Sequence, residues 1–474
     1  MHSSVWIFVV LAAGLQYVHG SDENSPLFLT PYINACEYET AKNLSQVKLF
    51  QEMANVSAYS GLITVNSTYN SSLFFLFLVA EGNKSNAPIL LWTQGGPGLS
   101  SLFGQFLENG PIAYDPISNF SLRSNTLQKN MSVIYLDVPV GTGFSVTANP
   151  LGYSTKLEDI TEHVMEFMRQ FLELFSEFKD RDFYLAGESY GARYSVAIAH
   201  QLLTDNKQLP LKLKGIIGGN GFLGPVLDTA NSAEFLYQAS MLDENGRMQF
   251  DLRFQYMKNL TSTNITVVPF VLLSTIFADP TRQQPSVFQN LTSYNDHASP
   301  LYTERPFHML ACFVFLNSSS MLRRQIHVGE GATFQYANQT LIAMFASDWL
   351  RDITNLTQRV LNETRVLFYT GQLDALFPAV NQRDYFSTLK WAHAEDYQSS
   401  SRVPWRPPTW NPYMGYAGFM KQAANFTDIV LLGMSHYGAA DKPDEAYHLI
   451  TQFVEDKLKA SVSSALGFAG AQVA

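Results

Sequence analysis

The stretch LAGESYGARY, residues 185–194, sets glycines two positions either side of Ser189, at Gly187 and Gly191. A serine hydroxyl is a weak nucleophile until a neighbouring base takes its proton and the backbone holds it exposed. The G-x-S-x-G spacing suits a chain turning sharply from strand into helix. The serine stands at the apex, and the missing Cβ atoms let adjacent segments come close. Taken alone, five residues are also compatible with a plain glycine turn, so the partners decide. A nucleophilic serine needs a histidine as base and an acid to orient it, and on an α/β scaffold they follow in the order Ser, Asp or Glu, His. Asp374 ends the apolar run of VLFYTGQLD, and His436 ends DIVLLGMSH. Three other histidines after Ser189 fit less well. His448 falls within the last predicted helix, His327 precedes the resumed strands, and His393 has no strand leading into it.

Acyl transfer through a serine also requires donors for the oxyanion of the tetrahedral intermediate. One is expected from the backbone N–H of Tyr190, directly after the nucleophile. The other is expected from a glycine-rich turn after an early strand, and LLWTQGGPGLSS (90–101) is such a turn. Gly95 and Gly96 permit close backbone approach and Pro97 stiffens the bend, so Gly96 N–H is the second predicted donor.

These residues need a scaffold that delivers them to one edge. Apolar runs at 73–80, 88–93 and 132–139 predict strands, and TKLEDITEHVMEFMRQFLELF puts Ile160, Val164, Phe167, Phe171 and Leu174 on one helical face. DFYLAGES then reads as a strand running into the glycine turn, ARYSVAIAHQLL as a helix, and 211–221 as the next strand. From about 224 to 330 the alternation stops, which predicts a partly helical cap insertion. It resumes at 364–374 and 426–436 and closes with the helix KPDEAYHLITQFVEDKL. Strands alternating with helices give an α/β class with a mostly parallel central sheet flanked by helices.

Composition narrows the setting. The chain has 474 residues, 46% of them hydrophobic, with 31 Lys and Arg against 41 Asp and Glu. The net charge of −10 argues against a nucleic-acid partner and offers no basic patch for a membrane surface. VWIFVVLAAGLQYVHG reads as a signal peptide over residues 1–20, too short for a transmembrane anchor, leaving 21–474 as a single domain. Glycosylation sequons begin at Asn43, Asn55, Asn66, Asn70, Asn83, Asn119, Asn130, Asn259, Asn264, Asn290, Asn317, Asn338, Asn355, Asn362 and Asn425. So many in one chain predict a glycoprotein of the secretory pathway, secreted or in a lysosomal or endosomal lumen. Cys36 and Cys312 are the two cysteines, and a disulfide between them or two buried free thiols stand as equal readings. Neither has a metal-ligand partner at useful spacing, and the chemistry calls for no metal or cofactor.

Read together and in order, LLWTQGGPGLSS, LENGP, LDVPVGTGFS, GESYGARY, GQLD and GMSH resemble the serine carboxypeptidases, and most of all their vitellogenic carboxypeptidase-like branch. That branch shares PLFLTPYI, the 58–66 segment, AEFLYQ (233–238) and IHVG (326–329), and the likeness runs from about Pro26 to Phe453. The resemblance implies the α/β-hydrolase fold and an acid-preferring serine-type carboxypeptidase. Such an enzyme releases single residues from peptides or proteins with a free C-terminus, through an acyl-enzyme. It also implies that Gln94, Gly95, Glu108 and Glu188 bind the substrate's α-carboxylate, which requires a proton shared between the glutamates. Family members are often homodimers.

This chain departs from the family at Gln94 (usually Asn), at Ser435 before the histidine (usually Gly), and at Tyr437 with Gly438 and Ala439 after it. Leu99 replaces a frequent cysteine, and GFLGP (221–225) lacks an acidic residue before Pro225. The departures predict a rearranged histidine loop and leaving-residue pocket. An acyltransferase and an inactive binding or storage glycoprotein are alternatives on the same scaffold. A lipase fits the ESYGARY and LENGP context least.

Overall fold

The computed structural model describes residues 24–458 apart from 83–84, 205–208, 278–283, 337 and 412–413. The expected signal peptide over 1–20 and the sequon at Asn83 lie outside the described residues.

Twelve strands are described: β1 (Ala58–Asn66), β2 (Ser71–Leu78), β3 (Ile89–Thr93), β4 (Ile112–Asp115), β5 (Asn119–Leu122), β6 (Ser132–Leu136), β7 (Asp182–Glu188), β8 (Lys212–Gly219), β9 (Arg365–Gly371), β10 (Val403–Trp405), β11 (Gly418–Ala423) and β12 (Phe426–Leu431). Ten of them form one sheet in the order β1-β2-β6-β3-β7-β8-β9-β12-β11-β10, while β4 and β5 pair separately. The six strands from β6 to β12 run parallel, and the outer strands at both edges are antiparallel. This is the mostly parallel central sheet that the alternation of elements predicts.

The inner strands read as unbroken apolar runs because helices cover both faces. Every residue of β2 is buried. Leu73, Phe75 and Phe77 pack into the core on one face and Phe74, Leu76 and Leu78 into the core on the other, following the period of two. The first face is covered by the helix Leu157–Leu174, whose Ile160, Val164, Phe167, Phe171 and Leu174 are all buried as its periodicity predicts. Phe77 sits edge-on among Phe171, Phe175 and Phe178, at centroid distances of 5.0, 5.3 and 5.0 Å. The second face is covered by the helix Pro443–Val454 through Leu449, Ile450 and Phe453.

Between β8 and β9 the described residues form helices and turns, with an isolated bridge from Gln335 back to Gly143. Helical cover continues past residue 330. Gln339–Phe345 buries Leu341, Ile342 and Phe345, and Thr354–Glu363 returns to pack on the helix Tyr190–Thr204.

The two cysteines are free thiols and do not form a disulfide. Cys312 is buried on the helix Phe307–Ser318 and its thiol is pushed up by burial, whereas Cys36 is exposed in an N-terminal turn, contrary to the reading of two buried thiols. Most of the described sequon asparagines are exposed. Asn338 differs. Its Oδ1 accepts from Thr340 N and Leu341 N, and its Nδ2 donates to Gly141 O and Tyr153 Oη, bonds that a glycan would have to displace.

Candidate active site

Parallel strands place their C-terminal ends along one edge, the usual position for ligands in open α/β sheets. Gln94 follows β3, Ser189 follows β7, and Asp374 lies just past β9. His436 lies beyond β12. Ser189 takes a left-handed φ of 55°, which costs a residue with a Cβ about 1–2 kcal/mol. Its backbone is held from both sides: its N–H donates to Gly219 O at 2.8 Å, and its carbonyl accepts from Phe222 N at 2.9 Å. The flanking glycines are steric requirements. A Cβ on Gly191 would stand 2.2 Å from Thr93 O, and one on Gly187 would stand 2.5 Å from Gly191 C. The spacing around Ser189 therefore answers to the close crossing of the β3 and β7 ends.

His436 Nδ1 lies 2.9 Å from Asp374 Oδ2. The other carboxylate oxygen of Asp374 accepts from Leu376 N and Phe377 N, both at 2.8 Å, so the acid is fixed before the imidazole meets it. Burial on its own would lower the His436 pKa. The charge and hydrogen bond of Asp374 outweigh it, with Glu188 and Asp296 adding, and the pKa is raised. His436 and Ser189 line one cavity. His327, His393 and His448 are not among the residues lining it.

Beside the serine turn runs the Gln94–Gly98 turn. A Cβ on Gly95 would lie 2.6 Å from Ser189 Cβ and 3.0 Å from Tyr190 N, and Gly96 has φ 114°, a region open only to glycine. Tyr190 opens the helix Tyr190–Thr204, where a backbone N–H has no acceptor within its own helix. The structure thus brings Gly95 against Ser189 and Tyr190, with Gly96 next along the turn and lining the same cavity.

The residues expected to bind a substrate carboxylate, Gln94, Gly95, Glu108 and Glu188, line the same cavity. Gln94, Glu108 and Glu188 are buried, at 8%, 6% and 3% exposure. Trp92 Nε1 donates to Gln94 Oε1 at 2.9 Å, which turns the amide so that Nε2 donates to Glu108 Oε1, also at 2.9 Å. The longer Gln is thereby held in one orientation. Glu188 Oε1 accepts from Tyr369 Oη at 2.6 Å and from Ala439 N at 3.3 Å. Burial and the neighbouring Glu188 charge hold Glu108 well above the usual carboxyl range. Burial raises Glu188 too, opposed by its bonds from Tyr369 and Ala439. The two carboxyls are also hydrogen-bonded to each other, and burial favours a proton shared between them.

The histidine loop is held by a set of hydrogen bonds from the residues that depart from the family pattern. Ser435 Oγ makes a short hydrogen bond to the Asp441 carboxylate, Ser435 N donates to the same oxygen at 2.9 Å, and Tyr437 N donates to Ser435 Oγ at 3.2 Å. Tyr437 Oη donates to Asp296 Oδ1 at 2.8 Å, and His436 N donates to Ala298 O at 3.1 Å, tying the loop to the insertion. Gly438 has φ 56°, and a Cβ there would reach 2.2 Å from Glu188 Oε1.

Four residues of the site escape sequence reasoning. Asn220 joins the acid strand to the histidine loop, accepting from Gly371 N at 2.8 Å and donating to Ser435 O at 3.0 Å; the run GGNG ahead of the insertion is its one local signal. Tyr369 reads as an ordinary core position of its strand. Asp296 and Arg305 lie in the stretch with no periodicity.

Comparison with known proteins gives consistent results. The sequence profile of the family described as "Serine carboxypeptidase" matches residues 49–456. The venom serine carboxypeptidase of Apis mellifera is 34% identical over 444 residues, 93% of each chain. The vitellogenic carboxypeptidase of Aedes aegypti is 31% identical over 439 residues, 91% of this chain and 90% of that one. Among solved structures, Kex1(delta)p, a prohormone-processing carboxypeptidase from Saccharomyces cerevisiae, superposes with a TM-score of 0.71 at 19% identity. The match covers 88% of this chain and 96% of that one, and it shows a shared α/β-hydrolase fold.

Proposed function

The chain belongs to the serine carboxypeptidase family and is a serine-type carboxypeptidase, and from that premise we propose that it releases single residues from free peptide C-termini through an acyl-enzyme on Ser189, best at acidic pH. The observation that carries the reading is the pairing of the Asp374–His436 hydrogen bond with a buried, proton-carrying glutamate pair in one cavity.

Ser189 Oγ attacks the last peptide carbonyl while His436 Nε2 accepts its proton, and Asp374 holds Nδ1 and stabilises the imidazolium. The oxyanion receives the N–H groups of Gly96 and Tyr190. His436 returns the proton to the departing amine, which leaves with the C-terminal residue. Water then repeats the sequence on the ester. The α-carboxylate of the departing residue is bound by Gln94 Nε2, the backbone at Gly95 and the Glu108–Glu188 pair, which carries one shared proton. With both glutamates ionised, three negative charges would crowd one buried site, so binding weakens as pH rises through the pair's titration.

The N-terminal apolar run and the exposed sequons support a secretory-pathway lumen as the setting. Hydrogen bonds at both flanks of the histidine loop weigh against a binding-only protein. Time-resolved mass spectrometry on a peptide and its C-terminal amide tests the reading. Stepwise shortening of the free acid, with the amide nearly untouched, is expected. Cleavage of both at similar rates would defeat it.

A further inference from the structure

Arg305 lies two residues before the helix Phe307–Ser318 and lines the cavity that holds Ser189, His436 and both glutamates. Its guanidinium lies against the hydroxyls of Tyr336 and Tyr437. Two walls of the carboxylate site meet there. On one side Tyr437 follows His436 directly, and the same loop reaches Glu188 through Ala439 N. On the other, Tyr336 packs on Phe313 at 4.8 Å and Phe313 on Phe103 at 4.1 Å, and Phe103 immediately precedes the turn Gly104–Asn109 that carries Glu108.

The carboxylate acting on Arg305 is Asp296, which is fully buried. Its Oδ1 already accepts from Tyr437 Oη at 2.8 Å and from Ala298 N at 3.0 Å, and burial holds it above the usual carboxylate range. Asp296 thus props the phenol that Arg305 rests on and is not among the residues lining the cavity. Arg305 itself is partly exposed and lines the cavity, whose apolar lining includes Phe103, Met309 and Phe313. A cation on a largely apolar wall selects for an anion that can reach it.

We propose that Arg305 is a specificity-determining residue that receives the side-chain carboxylate of a C-terminal glutamate or aspartate while the main-chain carboxylate rests on Gln94, Glu108 and Glu188. The assignment rests on the carboxylate-anchoring reading above. Leaving residues with apolar side chains are still accepted against Phe103, Met309 and Phe313, and basic ones are opposed by the like charge.

The test compares N-blocked Phe-Glu and Phe-Gln, each as free acid and as amide, with Phe-Leu as the neutral control. It is run near pH 5.5, above the ordinary glutamate pKa of about 4.3. For wild type, kcat/KM should favour Glu over Gln by at least about tenfold, carried by KM, the low end of what a hydrogen bond to a charged group contributes. Arg305→Gln should level that ratio, with Phe-Glu losing far more than Phe-Gln or Phe-Leu, and Arg305→Lys should restore part of it. Rates are normalised to sites titrated with a fluorophosphonate, so misfolded protein does not count. A wild-type Glu-to-Gln ratio near one overturns the proposal, as does an equal loss on Glu, Gln and Leu in Arg305→Gln. The acid-to-amide ratio reads the anchoring set separately, so that reading fails alone if amides are cleaved like acids.

Discussion

Tyr369 donates its hydroxyl to Glu188 Oε1 over 2.6 Å, with both side chains buried and Glu188 lining the cavity that holds Ser189 and His436. A phenol in that position stabilises the ionised form of Glu188 and opposes the effect of burial. It thereby works against the proton that burial favours on the pair, whose Glu108 is held well above the usual carboxyl range.

Removing that hydroxyl should move the pH profile in a defined direction. Tyr369→Phe lets the Glu188 pKa rise further, so the pair keeps its proton to higher pH. Binding of a free carboxylate is present below the pair's titration and lost as pH climbs through it. The alkaline limb of kcat/KM for a peptide should therefore shift upward, while an ester without a free carboxylate keeps its profile. A downward shift, or equal shifts for both substrates, contradicts this role of the Tyr369 hydroxyl.

The serine, histidine and aspartate should fail as a unit. Ser189→Ala and His436→Ala are each expected to lose on the order of 10⁶-fold in kcat, and Asp374→Asn roughly 10⁴-fold, because the asparagine mis-sets the imidazole without removing it. Single-turnover acylation with an activated ester measures this. Peptide hydrolysis retained by Ser189→Ala would end the assignment of the nucleophile.

Ser435 should prove to be a positioning residue. Standing directly before His436, its hydroxyl donates to Asp441 and accepts from the N–H of Tyr437, directly after it. Ser435→Ala deletes those bonds and keeps the one from Ser435 N to Asp441. A loss of about fivefold in kcat, equivalent to one net hydrogen bond of about 1 kcal/mol, is expected for peptide and ester alike, with KM little changed. An unchanged kcat would mean that the loop is held without it.

Stability should carry its own pH signature through Asp428 on β12. Burial pushes its carboxyl up to about 6, and among the described residues its Oδ1 has no partner, while Oδ2 accepts from Tyr397 Oη at 3.0 Å. In the unfolded chain the ordinary value is about 3.9. A folded pKa above the unfolded one gives stability that is complete below about pH 4 and lost as pH rises through about 6. Asp428→Asn keeps an acceptor for Tyr397 and removes the titration, so its thermal midpoint relative to wild type should improve from acid to neutral pH. Equal differences at both ends would rule the effect out.

Much of the scaffold was legible in the sequence because its causes are local. The period-two burial of β2, the apolar face of Leu157–Leu174 and the glycines bracketing Ser189 each follow from backbone geometry within a few residues. Asp374 and His436 were legible for the same reason: each comes after the apolar run of a strand, and parallel strands deliver the residues beyond their C-terminal ends to one edge. Motif likeness then pointed to Gln94, Glu108 and Glu188 before any contact was known.

What only the tertiary structure decided was which distant side chains share one dry space. Glu188 ends β7 and Glu108 lies on a turn after β3, and nothing in either segment states that one charge would hold the other's proton. Tyr369 turns inward to Glu188 because Gly219, on the next strand, leaves room for its ring. Asp296 and Arg305 come from a stretch with no periodicity, and they meet Tyr437 because the insertion folds back over the histidine loop. Cys36 and Cys312 end as separate thiols for the same reason, since one stays at the surface while the other is buried in a helix. Backbone pattern is dictated by neighbours along the chain, whereas pKa values, proton sharing and pocket chemistry depend on burial and on charges set close in space. Those arise only when the chain has closed on itself.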